Sequence, residues 1–366
     1  MTENLPAANR RLPSLDGWRA VSIVAVLASH STIVPGFPAA WQPVFPWVFD
    51  AGLGVRIFFI ISGFLITWLM LAEHDRTGGV NLRRFYIRRA LRILPVYGAY
   101  LLVLALLQNF TTYRQAPGTW LGNLTFTTNF MPGGNWTSGH LWSLAVEEQF
   151  YLLWPFFFVF LLRGRSLKNC LWVLVPVLIL APLARVISYR GAVSSPAGVL
   201  FAPYSLFNFM DSLALGCGCA CLLARAPGEI ARWTTRRPWL VFGIGLLLMI
   251  VPHVLSSLFW LGIFTVPLGH TCQGTGFALL LLQSLTFPAF GPYPWLNLRP
   301  VCALGVLSYS LYIWQQVFCT PPAAFGMAAV AWLSFPGWLF AALLAATASY
   351  YGLERPLLRL RSKFRT

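Results

Sequence analysis

Charge is scarce in this sequence. Asp, Glu, Lys and Arg together make up 10% of its 366 residues, where soluble globular domains carry about 25%. Acidic residues are scarcer still, 10 against 26 Lys and Arg. With 57% apolar residues and a mean hydropathy of +0.67, such a chain cannot cover a soluble core, so lipid must be the solvent for most of its surface. No cleavable leader is expected either. The first 15 residues are polar, Arg10 and Arg11 precede the first apolar run, and no A-x-A site follows, so that run is expected to remain as a span. The seven cysteines offer neither a disulfide framework nor a zinc spacing. Cys217, Cys219 and Cys221 alternate, and alternate helical residues do not share a face. That argues against a metal site and for small residues packed between helices. No internal repeat, low-complexity stretch or soluble domain is visible.

The apolar runs are the positive content. A spanning helix needs roughly 20 apolar residues, and ten runs approach that length: 18–34, 52–72, 93–110, 141–162, 170–188, 204–224, 239–256, 272–290, 300–319 and 335–353. Residues 83–92, dense in arginine, read as a basic amphipathic helix on a membrane surface. The net charge of +16 does not mark a nucleic-acid binder, because the basic residues lie between apolar runs. With a cytoplasmic N-terminus and ten spans, 22 of the 26 basic residues fall on the cytoplasmic side, and only Arg56, Arg114, Arg185 and Arg190 do not. The positive-inside bias therefore predicts an all-α, multi-pass integral membrane protein of about ten helices. Both termini are expected in the cytoplasm and residues 111–139 outside. Residues 1–366 read as one membrane domain.

Ionisable residues inside spans are costly, so each is a candidate site. His30 lies in the outer half of the first span, eleven residues after Arg19. Eleven helical steps return to within about 20° of one face with a rise of about 16 Å. The two therefore suit a long, thin donor with phosphates at one end and a reactive group at the other. The plainer role for His30 is a hydrogen bond between helices. Glu147, beside Glu148, is expected at a similar depth, where a carboxylate fixes an imidazole's tautomer and raises its basicity; the plainer role is a solvated interfacial charge. Arg56 lies far from the cytoplasm and must pair, snorkel or line a wet cavity. Ser62 and Gly63 read chiefly as residues that let helices approach closely. Arg89 and Arg92, spaced i, i+3, share a face and suit CoA phosphates, while Arg83 and Arg84 suit lipid headgroups.

Taken together, these strings resemble the acyltransferase-3 family of membrane O-acyltransferases. Leu15-Asp-Gly-Trp-Arg-Ala20 followed by His30 resembles its Arg-x10-His signature, and Gly54-Val-Arg-Ile-Phe-Phe-Ile-Ile-Ser-Gly-Phe-Leu-Ile-Thr67 its next block. Phe85-Tyr-Ile-Arg-Arg-Ala-Leu-Arg-Ile-Leu-Pro95 is similar to the Arg-x-x-Arg block, with Arg89 and Arg92 as the matched pair. His140-Leu-Trp-Ser-Leu-Ala-Val-Glu-Glu-Gln-Phe-Tyr151 resembles the Trp-Ser-Leu-x-x-Glu block, with Glu147 as its glutamate. Leu304-Gly-Val-Leu-Ser-Tyr-Ser-Leu-Tyr-Ile-Trp314 and Glu354-Arg-Pro356 resemble the last two. Asp16 and Tyr309 fall inside these blocks and are read, with Arg56, Ser62 and Glu148, as supporting residues. One position departs: where the family often has histidine after the fifth block, this chain has Gln315, followed by Gln316. An ionisable role is lost there, although glutamine still hydrogen-bonds.

The resemblance implies acyl-CoA, usually acetyl-CoA, as co-substrate with no bound cofactor or metal. It implies hydroxyls of sugars or related surface molecules as acceptors, and a place in the bacterial inner membrane among its lipids. Some members carry a C-terminal extracytoplasmic hydrolase-like domain; with Thr366 thirteen residues past the last expected span, none is expected here. On this reading Arg19, Arg89 and Arg92 hold the donor. His30 is the general base, oriented by Glu147, and a transient acyl-enzyme remains an open variant. A transporter or flippase for a lipid-linked sugar is the alternative, using the same buried charges as a path, though the chain shows no repeated halves. A non-catalytic scaffold would leave Arg19 and His30 unexplained.

Overall fold

Apolar runs of this length form helices because a chain in lipid must satisfy its backbone groups internally. In a computed structural model, which describes residues 12–131, 134–161, 167–191, 202–328 and 330–360, the described residues are helical with no strand. The elements used below are α1 (Leu15–Ser31), α2 (Ala51–Thr77), α3 (Leu82–Phe110), α4 (Trp136–Gly139), α5 (Leu141–Leu161), α6 (Leu167–Tyr189) and α7 (Leu206–Arg225). They continue with α8 (Pro227–Arg236), α9 (Pro238–Ser257), α10 (Gly262–Thr286), α11 (Arg299–Cys319), α12 (Gly337–Ser349) and α13 (Arg355–Leu360). A π-helical turn, Tyr350–Glu354, joins the last two.

Each expected span lies largely on a helix. By length and composition, five stretches among the described residues suffice to cross a membrane: Phe45–Thr77, Leu82–Phe110, Leu206–Arg225, Pro238–Ser257 and Arg299–Cys319. Three boundaries differ from expectation. The basic stretch 83–92 is not a separate surface helix but the first turns of α3, started by Asn81, whose side chain accepts from the Arg84 amide at 2.9 Å. α10 begins ten residues before the expected 272, so His270 lies inside a helix. Residues 227–236, between the expected spans 204–224 and 239–256, form α8, with Pro227 at its first turn. Arg163 and Arg165, counted as cytoplasmic, lie outside the described residues.

The chain divides into two compact units. One comprises Met1–Ser22, Leu53–Val80 and Val146–Gly305; the other Ile23–Gly52, Asn81–Ala145 and Val306–Thr366. In the first, Trp18, Ile60, Phe64, Phe277 and Leu281 are among the residues of the core. Glycines let its backbones meet. A Cβ on Gly63 would sit 2.0 Å from the Leu213 carbonyl oxygen, and one on Gly216 would sit 2.0 Å from that of Ile60, so α2 and α7 touch main chain to main chain. Cys217 and Cys219 pack there as small buried residues, their thiols on the Gly63 and Ala278 carbonyls. The start of α1 is tied down from far along the chain. The Ser14 amide donates to Asn297 Oδ1 at 2.7 Å, and the Trp18 indole N–H to Ser284 Oγ at 2.9 Å. In the second unit, Val34, Cys319, Trp338 and Ala342 form a core cluster. Tyr97 donates to the Asn123 carbonyl at 2.7 Å, and Tyr309 to the Ile93 carbonyl at 2.8 Å, joining α11 to α3. Leu247, Ile250 and Phe160 stand exposed, as lipid-facing positions require.

Candidate active site

α1 carries both Arg19 and His30, the latter one residue before its end. Within the second unit, His30 Nδ1 lies 2.8 Å from Gln315 Oε1 on α11, and Gln315 is fully buried. An amide oxygen only accepts, so in the neutral ring Nδ1 carries the proton and Nε2 keeps its lone pair. Among the described residues no hydrogen bond takes up Nε2. The Trp136 indole on α4 and the imidazole form a T-shaped pair, with ring centroids 5.1 Å apart at 68°.

The next residue on α11 holds a second imidazole. Gln316 Oε1 accepts from the His140 backbone amide at 2.9 Å and also meets His140 Nδ1, while His140 Nε2 lies 3.0 Å from the Ile313 carbonyl. Tyr312 caps the arrangement. Its hydroxyl lies 2.6 Å from Ser143 Oγ and donates to the His140 carbonyl at 3.2 Å. Both nitrogens of His140 are thus engaged, so its ring joins α11 to the start of α5, whereas His30 retains a free nitrogen. Nearby, the Tyr100 hydroxyl donates to the Thr137 carbonyl, and the Tyr113 hydroxyl bonds Thr137 Oγ1. Burial pushes the Tyr113 hydroxyl's pKa up, and the Thr137 bond pulls it partly back.

On α3, Arg89 and Arg92 are half-buried and one turn apart, while Arg83 and Arg84 stand exposed. The Tyr309 bond falls on the residue after Arg92.

The remaining candidates lie in the first unit. Arg19 pairs with Asp16 at 3.9 Å. Arg56 is buried on α2. The Ser62 hydroxyl donates to Glu147 Oε1, which also accepts from Tyr151 at 3.4 Å; Glu148 beside it is half-buried. Ser62 is therefore a polar partner on α2, and Gly63 alone supplies the close helix contact expected of both. The His30 ring is held by the Gln315 amide, a part the sequence assigns to the Glu147 carboxylate.

Two features escape a reading of residues alone. Gln315 and Gln316 register in the sequence only as a lost histidine, although buried amides in an apolar helix demand partners. Arg185, counted as an outer charge, is buried in α6. It pairs with Asp211 at 3.0 Å and also donates to the Pro267 and Asn208 carbonyls and to Thr271.

Comparison with known proteins places the chain in a class first. The acyltransferase-3 family, described as an acyltransferase domain, matches residues 12–354, and the chain belongs to it. Among its relatives is the peptidoglycan O-acetyltransferase OatA of Listeria monocytogenes, 24% identical over 86% of this chain and 50% of the relative. The O-acetyltransferase OatA of Staphylococcus aureus is 27% identical over 84% of this chain and 50% of the relative. The putative peptidoglycan O-acetyltransferase YrhL of Bacillus subtilis is 25% identical over 95% and 55%. The chain spans about half the length of the curated relatives it matches. No solved structure matches it.

Proposed function

We propose that this chain is a multi-pass O-acetyltransferase of the bacterial inner membrane, moving acetyl from acetyl-CoA to a hydroxyl of a cell-wall glycan. Ten spans and cytoplasmic termini belong to this reading. The observation that carries it is His30, with Nδ1 held by Gln315 and Nε2 open, in a chain of an acyltransferase family. Relatives named for peptidoglycan O-acetylation support the acceptor class, and the family match disfavours a transporter. Nε2 takes the acceptor's hydroxyl proton as that oxygen attacks the thioester carbonyl carbon. The C–O bond forms, the C–S bond breaks, and the imidazolium returns its proton to the leaving CoA thiolate. Arg89 and Arg92 are assigned to the donor's phosphates, and Arg19 to the donor side of α1.

The test is transfer of labelled acetyl from acetyl-CoA to peptidoglycan fragments by the full chain in lipid vesicles. His30→Ala should lose about 10²–10⁴-fold, the usual contribution of a positioned base. Arg89→Ala and Arg92→Ala should raise the donor KM more than they lower kcat, since phosphate contacts serve ground-state binding. Near-normal transfer by correctly inserted His30→Ala would remove the mechanism. An unchanged donor KM in both arginine variants would remove the donor assignment.

A further inference from the structure

α4 is a single turn in which Thr137 and Ser138 are buried, at 1% and 0% exposure, while Trp136 at its start is 41% exposed. The turn is held from several sides. Two tyrosine hydroxyls fasten Thr137, the Ser138 hydroxyl donates to Gln115 Oε1 at 3.1 Å, and the His140 amide that follows donates to Gln316. The preceding residue, Asn135, accepts from the Ala116 amide and donates to the Arg114 carbonyl, both at 2.6 Å. An indole on so fixed a base gives up little conformational freedom when something lies on it. Its neighbour is the His30 ring, 5.1 Å away and nearly perpendicular.

A large, exposed indole beside a polar group with an open lone pair suits a ligand that is apolar on one side and hydroxylated at its rim. A pyranose is such a ligand: its axial C–H bonds form an apolar face and its hydroxyls radiate from the edge. We propose that Trp136 is the acceptor platform, on which a sugar ring of the glycan lies and presents one hydroxyl to Nε2 of His30. This rests on His30 being the base. Trp136 then selects for a ring with an unobstructed C–H face, and His30 selects which rim hydroxyl reacts.

The full chain in lipid vesicles is assayed with acetyl-CoA and disaccharide fragments released from peptidoglycan, comparing wild type, Trp136→Phe, Trp136→Leu and Trp136→Ala. The acceptor KM should rise about three- to tenfold in the alanine variant, the scale of one aromatic contact. It should rise less in the phenylalanine variant than in the leucine variant, because a ring face and not bulk is required. The donor KM should stay within about twofold throughout. Where the alanine variant fails to insert, the phenylalanine–leucine order decides. Wild-type transfer with one acceptor KM across the series would overturn the platform and leave His30 untouched. So would a series in which only the amount of inserted protein changes, which would make Trp136 an interfacial anchor. A wild type that transfers nothing to these fragments would overturn the acceptor reading itself.

Discussion

An amide at position 315 can orient an imidazole but cannot exchange a proton with it. Gln315 therefore fixes which nitrogen of His30 carries hydrogen, and nothing more. Gln315→Met keeps the length and removes the acceptor, so its cost should be that of one neutral hydrogen bond, about 0.5–1.5 kcal/mol or roughly two- to twelvefold in kcat. Gln315→His, whose neutral ring also accepts, should keep more of the rate than the methionine variant. Steady-state kcat at saturating donor and acceptor reads both; a methionine variant at the wild-type kcat would leave Gln315 without a role. The sequence points to His30 through its spacing from Arg19, but it cannot pair His30 with a residue 285 positions away. A histidine expected by resemblance and replaced by glutamine reads as a loss until its partner is visible. Glu147 shows the reverse case. Its chemistry is plain from the sequence and Tyr151 follows one turn on along the same helix, yet its Ser62 partner emerges only when α2 and α5 are seen together.

Helices are legible wherever apolar runs are long, and misread wherever a polar residue inside a run is satisfied by another helix. Gly269-His270-Thr271 looks like a break, yet α10 runs through it. Arg185 on α6 bonds Thr271 and the Pro267 carbonyl, and such polar groups stay within a helix only when partnered. The glycine contacts between α2 and α7 are also invisible beforehand, since composition does not say which glycine faces a neighbour. Gly216→Ala drives a Cβ to 2.0 Å from a backbone oxygen that belongs to a packed helix, and overpacking of this kind typically costs about 1–3 kcal/mol. The thermal midpoint of the detergent-solubilised protein should fall by several degrees. Gly243→Ala on α9, where the added carbon meets nothing within 4 Å, should leave it in place. Equal midpoints for the two variants would contradict the close packing of α2 on α7.

For the whole molecule the strongest sequence signal is the side on which the arginines gather. Cysteine substituted for Thr125, exposed within the stretch 111–139, in a chain freed of its seven native cysteines should label from outside the cell, as a polypeptide with cytoplasmic termini and that stretch external requires. Labelling from the cytoplasmic side alone would reverse the topology. The long-range bonds at the start of α1 have a consequence in time. Trp18 and its partner Ser284 are separated by 266 residues, and chains are synthesised at roughly 5–20 residues per second. The first helix to emerge from the ribosome therefore waits roughly 13 to 53 seconds before the groups that anchor its base exist. Throughout that interval the helix bearing His30 sits in the membrane with its indole N–H and the Ser14 amide lacking their final partners. A nascent chain arrested before residue 284 would carry α1 without its mooring, so the first helix made is among the last to be secured.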